Sequence, residues 1–345
     1  MQTHIRGPIA GTPGAAIAEQ ALRACVHCGF CNATCPTYQL TGDELDGPRG
    51  RIYLMKQALE GEPVSKVSLD HLDRCLSCRA CETTCPSGVQ YHRLYDVAHQ
   101  HVAESVGRPW PERILRNLIR AITTRPAVFG VLLRLGRLAR PLLPPALRGK
   151  VTAHVAPGPR PPLRPARRML MLAGCVQSAA AAHFNAATAR VFDRAGISLA
   201  EAPAAGCCGA AHLHLDAPEA ARAAARRNID AWWPQIEAGA AGVVVNSSGC
   251  AAFVRDYPDV LRDDHAYLEK ARAVAALVRD PLEELSAAAL PVRRVPAAPR
   301  IAVHEPCTLQ HGLKLTGRIA TLLRGLGYEP QPVADNHLCC GSAAA

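Results

Sequence analysis

Residues 25–36 read CVHCGFCNATCP, and residues 75–86 read CLSCRACETTCP. Both stretches have the spacing C-x2-C-x2-C-x3-C-P, and each cysteine of the second lies 50 positions after its counterpart in the first. A repeat of this kind is an internal duplication. It predicts that the N-terminal part of the chain contains two copies of one metal-binding loop.

The spacing predicts two 4Fe–4S clusters that share their ligands across the two loops. Three cysteines separated by two residues can reach three iron atoms from one curled loop, since each iron needs one thiolate. In two-cluster ferredoxins with this spacing, the fourth cysteine of one run binds the other cluster. One predicted cluster therefore uses Cys25, Cys28, Cys31 and Cys85, and the other uses Cys75, Cys78, Cys81 and Cys35.

Zinc and haem are the alternatives for these cysteines. A zinc site needs only two C-x2-C pairs, so the third cysteine and the trailing Pro36 or Pro86 of each run would have no role. A c-type haem needs a histidine directly after C-x2-C, and no histidine stands at those positions. Iron–sulfur binding accounts for the whole pattern.

The segment between the two cysteine runs predicts an α-helical ferredoxin module rather than a compact β-rich one. Ile52 to Leu59 has the periodicity of a short helix, with Ile52, Met55 and Leu59 on one face. Arg49 and Arg51 precede or open this helix. They either donate hydrogen bonds near a cluster and raise its reduction potential, or brace the loop.

Composition agrees with a protein that binds metal inside the cell. The chain has 345 residues, 49% of them apolar, and 15 cysteines. Residues 1–23 contain no apolar run long enough for a secretion signal, and no uncharged apolar stretch reaches the roughly 18 residues of a membrane-spanning helix. We therefore expect a cytoplasmic protein whose cysteines bind metal rather than form disulfides.

A basic segment separates the N-terminal module from the rest of the chain. Arg108 to Arg168 contains fourteen Lys or Arg and one acidic residue, within a chain of net charge +10. Its proline content predicts a linker at residues 107–167. Within it, Pro126 to Leu147 is amphipathic and basic, which suits contact with the inner face of an anionic membrane or packing against protein; both interpretations remain open.

The C-terminal half predicts a duplicated α/β domain with a parallel sheet. Apolar runs at 169–173 and 301–303 each lead through a cysteine and a helical stretch to a second strand and then Cys-Cys-Gly. The distance from Cys175 to Cys207 equals that from Cys307 to Cys339, at 32 positions. The predicted domains are residues 1–106, 107–167, 168–295 and 296–345, and the last repeat is expected to be incomplete.

The cysteines of these repeats predict a further metal or redox site. Side chains at the carboxyl ends of parallel strands gather at one edge of a sheet. Cys175, Cys207, Cys208 and Cys250 are therefore expected to converge, and Cys307, Cys339 and Cys340 to form half of a second site. A packed pair of buried cysteines is the structural alternative.

The whole chain resembles the iron–sulfur subunit of bacterial glycolate oxidase. The resemblance rests on the two cysteine runs, on residues 42–53 and 227–234, and on the motifs GCCG at 206–209, SGC at 248–250, PCTLQH at 306–311 and HLCCG at 337–341. The Cys-Cys-Gly repeats are also similar to those of heterodisulfide reductases. The resemblance implies a complex that oxidises glycolate to glyoxylate, with FAD on partner subunits.

The sequence itself contains no G-x-G-x-x-G after a predicted strand, so we expect no nucleotide cofactor and no catalytic residue on this chain. It would carry electrons from FAD to a quinone-type acceptor. Lactate-utilisation proteins and the cluster subunit of anaerobic glycerol-3-phosphate dehydrogenase share these repeats and are close alternatives. A zinc-stabilised nucleic-acid binder is a more distant one, because aromatic residues that could stack on bases make up only 4% of the chain.

Overall fold

The structure is a computed structural model that describes residues 1–149, 151, 153–164, 167–285 and 300–339. These residues form two compact units. The first unit contains residues 1–109 together with 300–339, and the second contains residues 110–285. The second Cys-Cys-Gly repeat, predicted as a domain of its own, thus belongs to the same unit as the N-terminal cysteine loops.

Residues 1–109 are helical, and no strand occurs among them, so the predicted α-helical ferredoxin module is confirmed. The helix predicted at 52–59 begins earlier, at Pro48, because proline suits the first turn of a helix. Short 3-10 helices occupy Gly7–Ile9, Phe30–Thr34 and Glu44–Asp46. The α-helices are α1 (Pro13–Ala24), α2 (Pro36–Thr41), α3 (Pro48–Leu59), α4 (Lys66–Asp73), α5 (Ala80–Thr84) and α6 (Tyr91–Val106).

The core of this module fixes the start of each cysteine loop. Leu22 of α1, Leu72 of α4 and Leu94 of α6 are fully buried together with Met55 and Leu59 of α3. Each such side chain contributes about 1.5–3 kcal/mol to folding. Because α1 and α4 end directly before the two cysteine runs, the packing of these two helices sets where both loops begin.

The C-terminal residues of the first unit form a small strand–helix–strand unit. Strands β5 (Arg300–Val303) and β6 (Glu329–Pro332) pair in parallel, with Ile301 opposite Pro330. A π-helical turn at Thr308–Gly312 and a longer helix at Arg318–Gly325 connect them. The strands predicted at 301–303 and 328–333 are therefore present. Cys340 lies outside the described residues.

The second unit contains a four-stranded parallel sheet in the order β2-β1-β3-β4. The strands are β1 (Arg167–Met171), β2 (Ile197–Glu201), β3 (Val243–Val244) and β4 (Val278–Arg279). The first three match strands predicted at 169–173, 197–200 and 242–246, whereas β4 was not predicted. The helices are α10 (Cys175–Ala180), α11 (Ala182–Arg194), α12 (Ala210–His214), α13 (Pro218–Glu237), α14 (Ser248–Arg255), α15 (Tyr257–Val260), α16 (Leu268–Leu277) and α17 (Pro281–Leu285).

The predicted linker at 107–167 is not all linker, since much of it is helical. It contains α7 (Trp110–Thr123), α8 (Pro126–Ala139) and α9 (Pro145–Arg148). Helix α7 packs on α12 and helix α8 on α10, within the second unit. Arg116 of α7 forms an ion pair of 3.3 Å with Asp216, which helps hold α7 in place. The proline content concealed these helices, because Pro126 and Pro145 stand in first turns, where proline is tolerated.

Candidate iron–sulfur and cysteine sites

The two N-terminal cysteine loops curl in the same way. His27 and Ser77, two positions after the first cysteine of each run, both have left-handed backbone, with φ of +60° and +50°. Gly29 and Arg79, after the second cysteine, are also left-handed, with φ of +86° and +61°. Non-glycine residues rarely adopt this conformation. Its recurrence at equivalent positions shows that the duplication extends to the backbone that turns the cysteines inwards.

The first loop and the last cysteine of the second loop surround one cavity. Five cysteines line it together with the apolar side chains of Ile52 and Val89. Four of them are Cys25, Cys28, Cys31 and Cys85, and the fifth is Cys81 of the second loop. Burial raises the pKa of Cys31 to about 11, helped by the neighbouring Cys25, Cys85 and Cys28 thiols. Crowded, buried thiols of this kind resist ionisation unless a cation neutralises them.

The second loop and the last cysteine of the first loop form an equivalent group. Burial, and then the neighbouring Cys75, Cys307 and Cys35, raises the pKa of Cys78 to about 12. Cys75 accepts a hydrogen bond from the Tyr91 hydroxyl at 3.8 Å, and Cys35 Sγ lies 3.2 Å from Thr37 Oγ1. Cys81, the remaining member, is buried.

The two groups are linked at their crossing point. Thr84 and Thr34, which precede the fourth cysteine of each run, are joined by a hydrogen bond of 3.1 Å between their hydroxyls. This contact brings Cys85 to the first loop and Cys35 to the second. All eight cysteines are free thiols, of which Cys25, Cys35 and Cys81 are buried and only Cys28 is exposed. Soft sulfur donors in two sets of four suit iron–sulfur clusters. The donor set therefore fits the cofactor that the spacing predicts.

In the second unit the structure brings together Cys175, Cys207, Cys208 and Cys250. Cys175 begins α10, the Cys207–Cys208 pair follows β2, and Cys250 lies in the first turn of α14. Cys208 Sγ is 3.3 Å from Cys250 Sγ. The predicted convergence at the ends of parallel strands is thus observed as geometry.

Two of these four thiols have a lowered pKa and the other two have a raised pKa. Hydrogen bonding with Cys175, and then with Cys208, lowers the pKa of Cys207, and the hydrogen bond that Cys208 donates to Cys250 lowers the pKa of Cys250. The same hydrogen bonds, with burial, raise the pKa of Cys175 and of Cys208. Four sulfur donors that meet at one point are suited to zinc or to an iron–sulfur cluster.

Asn228 and Tyr257 hold the Cys-Cys-Gly turn in shape. Asn228 accepts a hydrogen bond from Gly206 N at 2.9 Å and donates to Cys207 O at 3.0 Å. The Tyr257 hydroxyl accepts from Asn228 at 2.9 Å and donates to Cys208 O at 2.7 Å. Gly209 completes the turn at φ +107°, where a Cβ would lie 3.1 Å from the Phe253 ring.

Sequence reasoning did not identify Asn228 or Tyr257 as site residues. The available signal was the stretch at 227–234, which carries part of the family resemblance without containing a cysteine. Its role becomes clear only when α13 is placed against the loop after β2.

Cys307 and Cys339 of the second repeat lie in the first unit. Cys307 is close enough to Cys78 for their charges to interact. Next to it, His311 is buried, and its Nδ1 lies 3.0 Å from Thr83 Oγ1 of α5. Cys339 is half-buried. The structure therefore places Cys307 beside the second N-terminal group.

Comparison with known proteins agrees with both halves of this description. The family described as 4Fe-4S dicluster domain matches residues 21–89, and the family described as Cysteine-rich domain matches residues 169–255 and 301–345. The lactate utilization protein A of Geobacillus thermodenitrificans (strain NG80-2) is 30% identical over 165 residues, which is 45% of this chain and 64% of that protein.

Two relatives match nearly the whole chain. The probable glycolate oxidase iron-sulfur subunit of Bacillus subtilis (strain 168) is 30% identical over 364 residues, covering 94% of this chain and 80% of the relative. The glycolate oxidase iron-sulfur subunit of Escherichia coli (strain K12) is 53% identical over 344 residues, covering 99% of this chain and 84% of the relative. The chain therefore belongs to the family of glycolate oxidase iron–sulfur subunits, and it is an iron–sulfur electron-transfer protein.

Proposed function

We propose that this chain carries electrons within a flavin-dependent dehydrogenase that oxidises a 2-hydroxy acid, glycolate, and that it holds two 4Fe–4S clusters. The ligands of one are Cys25, Cys28, Cys31 and Cys85, and those of the other are Cys75, Cys78, Cys81 and Cys35. The observation that carries the proposal is the grouping of Cys85 with the first loop and of Cys35 with the second. When bound, such clusters accept and release single electrons.

The electrons come from FAD on partner subunits and go to a quinone-type acceptor. A flavin takes two electrons from the substrate, and two one-electron centres can pass them on singly. The chain contributes the thiolates, a dry surrounding for them, and fixed cations near each group. The relatives that match over the full length favour glycolate over lactate, because the lactate utilization protein matches less than half of the chain.

The chain alone is proposed to have no glycolate-oxidising activity. A direct test compares the purified, iron-loaded chain with the same chain plus its FAD-bearing partner subunits, using glycolate and a dye acceptor. We expect activity only in the mixture. Turnover of glycolate by the chain alone would refute this division of labour.

The four cysteines of the second unit are proposed to hold a further metal or cluster. Their support is the 3.3 Å approach of Cys208 to Cys250 and the lowered pKa of Cys207 and Cys250. Metal analysis of a variant without the two N-terminal clusters tests this. Zinc or iron that remains in that variant and is lost on Cys208→Ser supports the site, whereas no bound metal contradicts it.

We further propose that α7 and α8 contact an anionic membrane surface. No helix of the described ranges is long and apolar enough to span a bilayer. Arg116 and Arg120 bind Asp216 and Leu215 O in their own unit, which leaves the opposite face of α7 free. The exposed apolar side chains of the two helices are Trp110, Ile114, Leu115, Leu118, Ile119, Val128, Val131, Leu132, Leu135 and Leu138.

Charge and apolarity together favour a lipid surface. Arg113, Arg125 and Arg134 are exposed beside this face, and basic amphipathic helices bind anionic headgroups while their apolar face enters the interface. Such contact would bring the chain to a surface that holds a membrane-soluble quinone.

Vesicle flotation tests the membrane surface. The chain should float with phosphatidylglycerol vesicles at low salt, less at high salt, and not with phosphatidylcholine vesicles. Leu135→Glu should abolish flotation, whereas Val191→Glu, at a partly exposed valine of α11, should not. Absence of flotation at low salt would assign the face to a partner protein instead.

A further inference from the structure

Residues 44–51 form a tight turn that packs closely against the first turn of α3. If Gly50 had a Cβ, it would lie 2.1 Å from Glu44 O, so only glycine allows this contact. The turn fixes the helix, and residues two apart on a helix point to nearly opposite sides. Helix α3 therefore directs the side chains of Arg49 and Arg51 to nearly opposite sides.

Arg49 lies at the first cysteine group. Its Nη1 is 2.6 Å from the position that a Cβ would take at Gly29, between Cys28 and Cys31. Its Nε donates a hydrogen bond of 2.6 Å to Glu44 Oε1, and its side chain is 35% exposed. Arg49 is thus a solvated cation that is already paired with a carboxylate.

Arg51 lies at the second cysteine group and is only 1% exposed. Its Nε donates to His71 O at 2.7 Å, and its Nη1 donates to Thr37 Oγ1 at 3.1 Å. That threonine oxygen is itself 3.2 Å from Cys35 Sγ. The Thr37 side chain thus links the guanidinium to Cys35, a proposed cluster ligand.

One nitrogen of this buried guanidinium has no hydrogen bond. Nη2 of Arg51 is buried without a hydrogen-bond partner among the described residues. Its nearest carboxylate oxygen, Asp46 Oδ1, is 3.8 Å away and already lies 2.9 Å from His71 Nδ1. An unsatisfied buried N–H of a charged group is destabilising, so a missing acceptor is expected.

The acceptor is expected on the cysteine side. Burial lowers the pKa of Arg51, whereas the neighbouring Tyr91, Cys75, Cys35 and Asp46 raise it by more, and an arginine side chain is protonated in any case. Two of those groups, Cys75 and Cys35, are proposed ligands of the second cluster.

We propose that Arg51 donates a hydrogen bond from Nη2 to the sulfur shell of the cluster held by Cys35, Cys75, Cys78 and Cys81, and makes it the higher-potential cluster of the pair. This inference rests on the ligand assignment proposed above. Reduction adds one electron and no proton to the cluster, because Arg51 is protonated throughout. A buried cation and a hydrogen bond to sulfur both favour the reduced state.

Arg49 has a weaker effect on the first cluster. Its charge is shared with Glu44 and screened by water, whereas that of Arg51 acts through a low-dielectric interior. At equilibrium a single electron is therefore expected to occupy the second cluster, which lies beside Cys307.

EPR-monitored redox titration of the anaerobically reconstituted full chain tests the proposal. Arg51→Gln should lower the potential of one cluster so that its reduction equilibrium constant falls at least tenfold, or about 59 mV for a one-electron couple. The other cluster should keep its potential. Arg49→Gln, the matched control on the same helix, should shift the other cluster by a smaller amount.

The affected cluster is identified in a Cys28→Ser background, where only the second cluster is expected to persist. The Arg51→Gln shift should still be seen there. If Arg51→Gln does not take up iron, Arg51→Lys replaces it and should give a smaller fall in the same cluster. Unchanged potentials, or a shift confined to the cluster that Cys28→Ser removes, would overturn the inference while leaving the proposed function intact. Failure of the unmodified chain to bind clusters would refute both.

Discussion

The two cysteine-rich regions of this protein collect sulfur ligands in different ways. In the first unit, two loops with left-handed backbone at equivalent positions each carry three cysteines, and the proposed ligand sets exchange the fourth. In the second unit, four cysteines reach one point from α10, the loop after β2 and α14, and hydrogen bonds from Asn228 and Tyr257 shape their turn. The first arrangement depends on local spacing and on the cofactor, whereas the second depends on a folded sheet.

Removal of metal should affect the first unit most. Most of its eight thiols are buried or half-buried, and each proposed cluster joins loops 50 residues apart, so much of the binding free energy is expected to be folding free energy. Hydrogen exchange of the apo chain should show protection in α1 and α4 falling at least a hundredfold. Protection of the sheet in the second unit should change much less. Equal loss in both units would remove the distinction between them.

Replacement of cysteines in the second unit should separate electron transfer from N-terminal cluster content. Cys207→Ser and Cys208→Ser should lower electron transfer in the assembled complex at least tenfold, with both N-terminal clusters intact by EPR. Ser178→Ala is the control, because this hydroxyl bonds Cys175 O in α10 without supplying sulfur. A normal rate in the cysteine variants would show that the region is structural.

Loss of the Asn228 side chain should lower the free energy of unfolding of the second unit only. Asn228→Ala leaves the amide of Gly206 without its acceptor, which costs about 1–3 kcal/mol, and leaves Arg227 as the remaining side-chain donor to Cys207 O. Chemical denaturation followed by Trp232 fluorescence, a fully buried tryptophan on α13, measures this cost. Asn228→Asp keeps the side-chain acceptor for Gly206 N and should lower the free energy of unfolding by less than Asn228→Ala does. No change in Asn228→Ala would mean that the turn is held by other contacts.

Mild acid should stabilise the second unit slightly through Asp280, which follows β4. Burial raises the pKa of this carboxyl to about 6. A raised pKa in the folded state means that the charged form costs stability above pH 6, and that this cost disappears as the pH falls towards the unfolded value near 4. Asp280→Asn should therefore raise the free energy of unfolding by about 1–3 kcal/mol at pH 7.5 and change it little at pH 4.5. A variant that gains the same at both pH values would contradict this assignment.

The sequence predicted the first region almost completely and the second only in outline. The spacing of Cys25 to Cys35, repeated at Cys75 to Cys85, specifies loop geometry because all ligands of a loop lie within a few residues. The Cys-Cys-Gly strands were predictable from the equal 32-position offsets. Contacts made across distant elements were not predictable, such as Asn228 with Cys207 or the buried setting of Arg51, because both depend on how helices pack. The packing of Cys307 and His311 beside α5 also has no local signal.

The crossed ligand assignment is the central claim, and paired cysteine variants test it most directly. Cys28→Ser with Cys85→Ser removes two ligands from one proposed cluster, whereas Cys28→Ser with Cys35→Ser removes one ligand from each. Iron counting and EPR of the reconstituted chains should show one intact cluster, about four irons, in the first pair and none intact in the second. The reverse result, with a cluster surviving only in Cys28→Ser with Cys35→Ser, would show that each run binds its own cluster and would contradict the account.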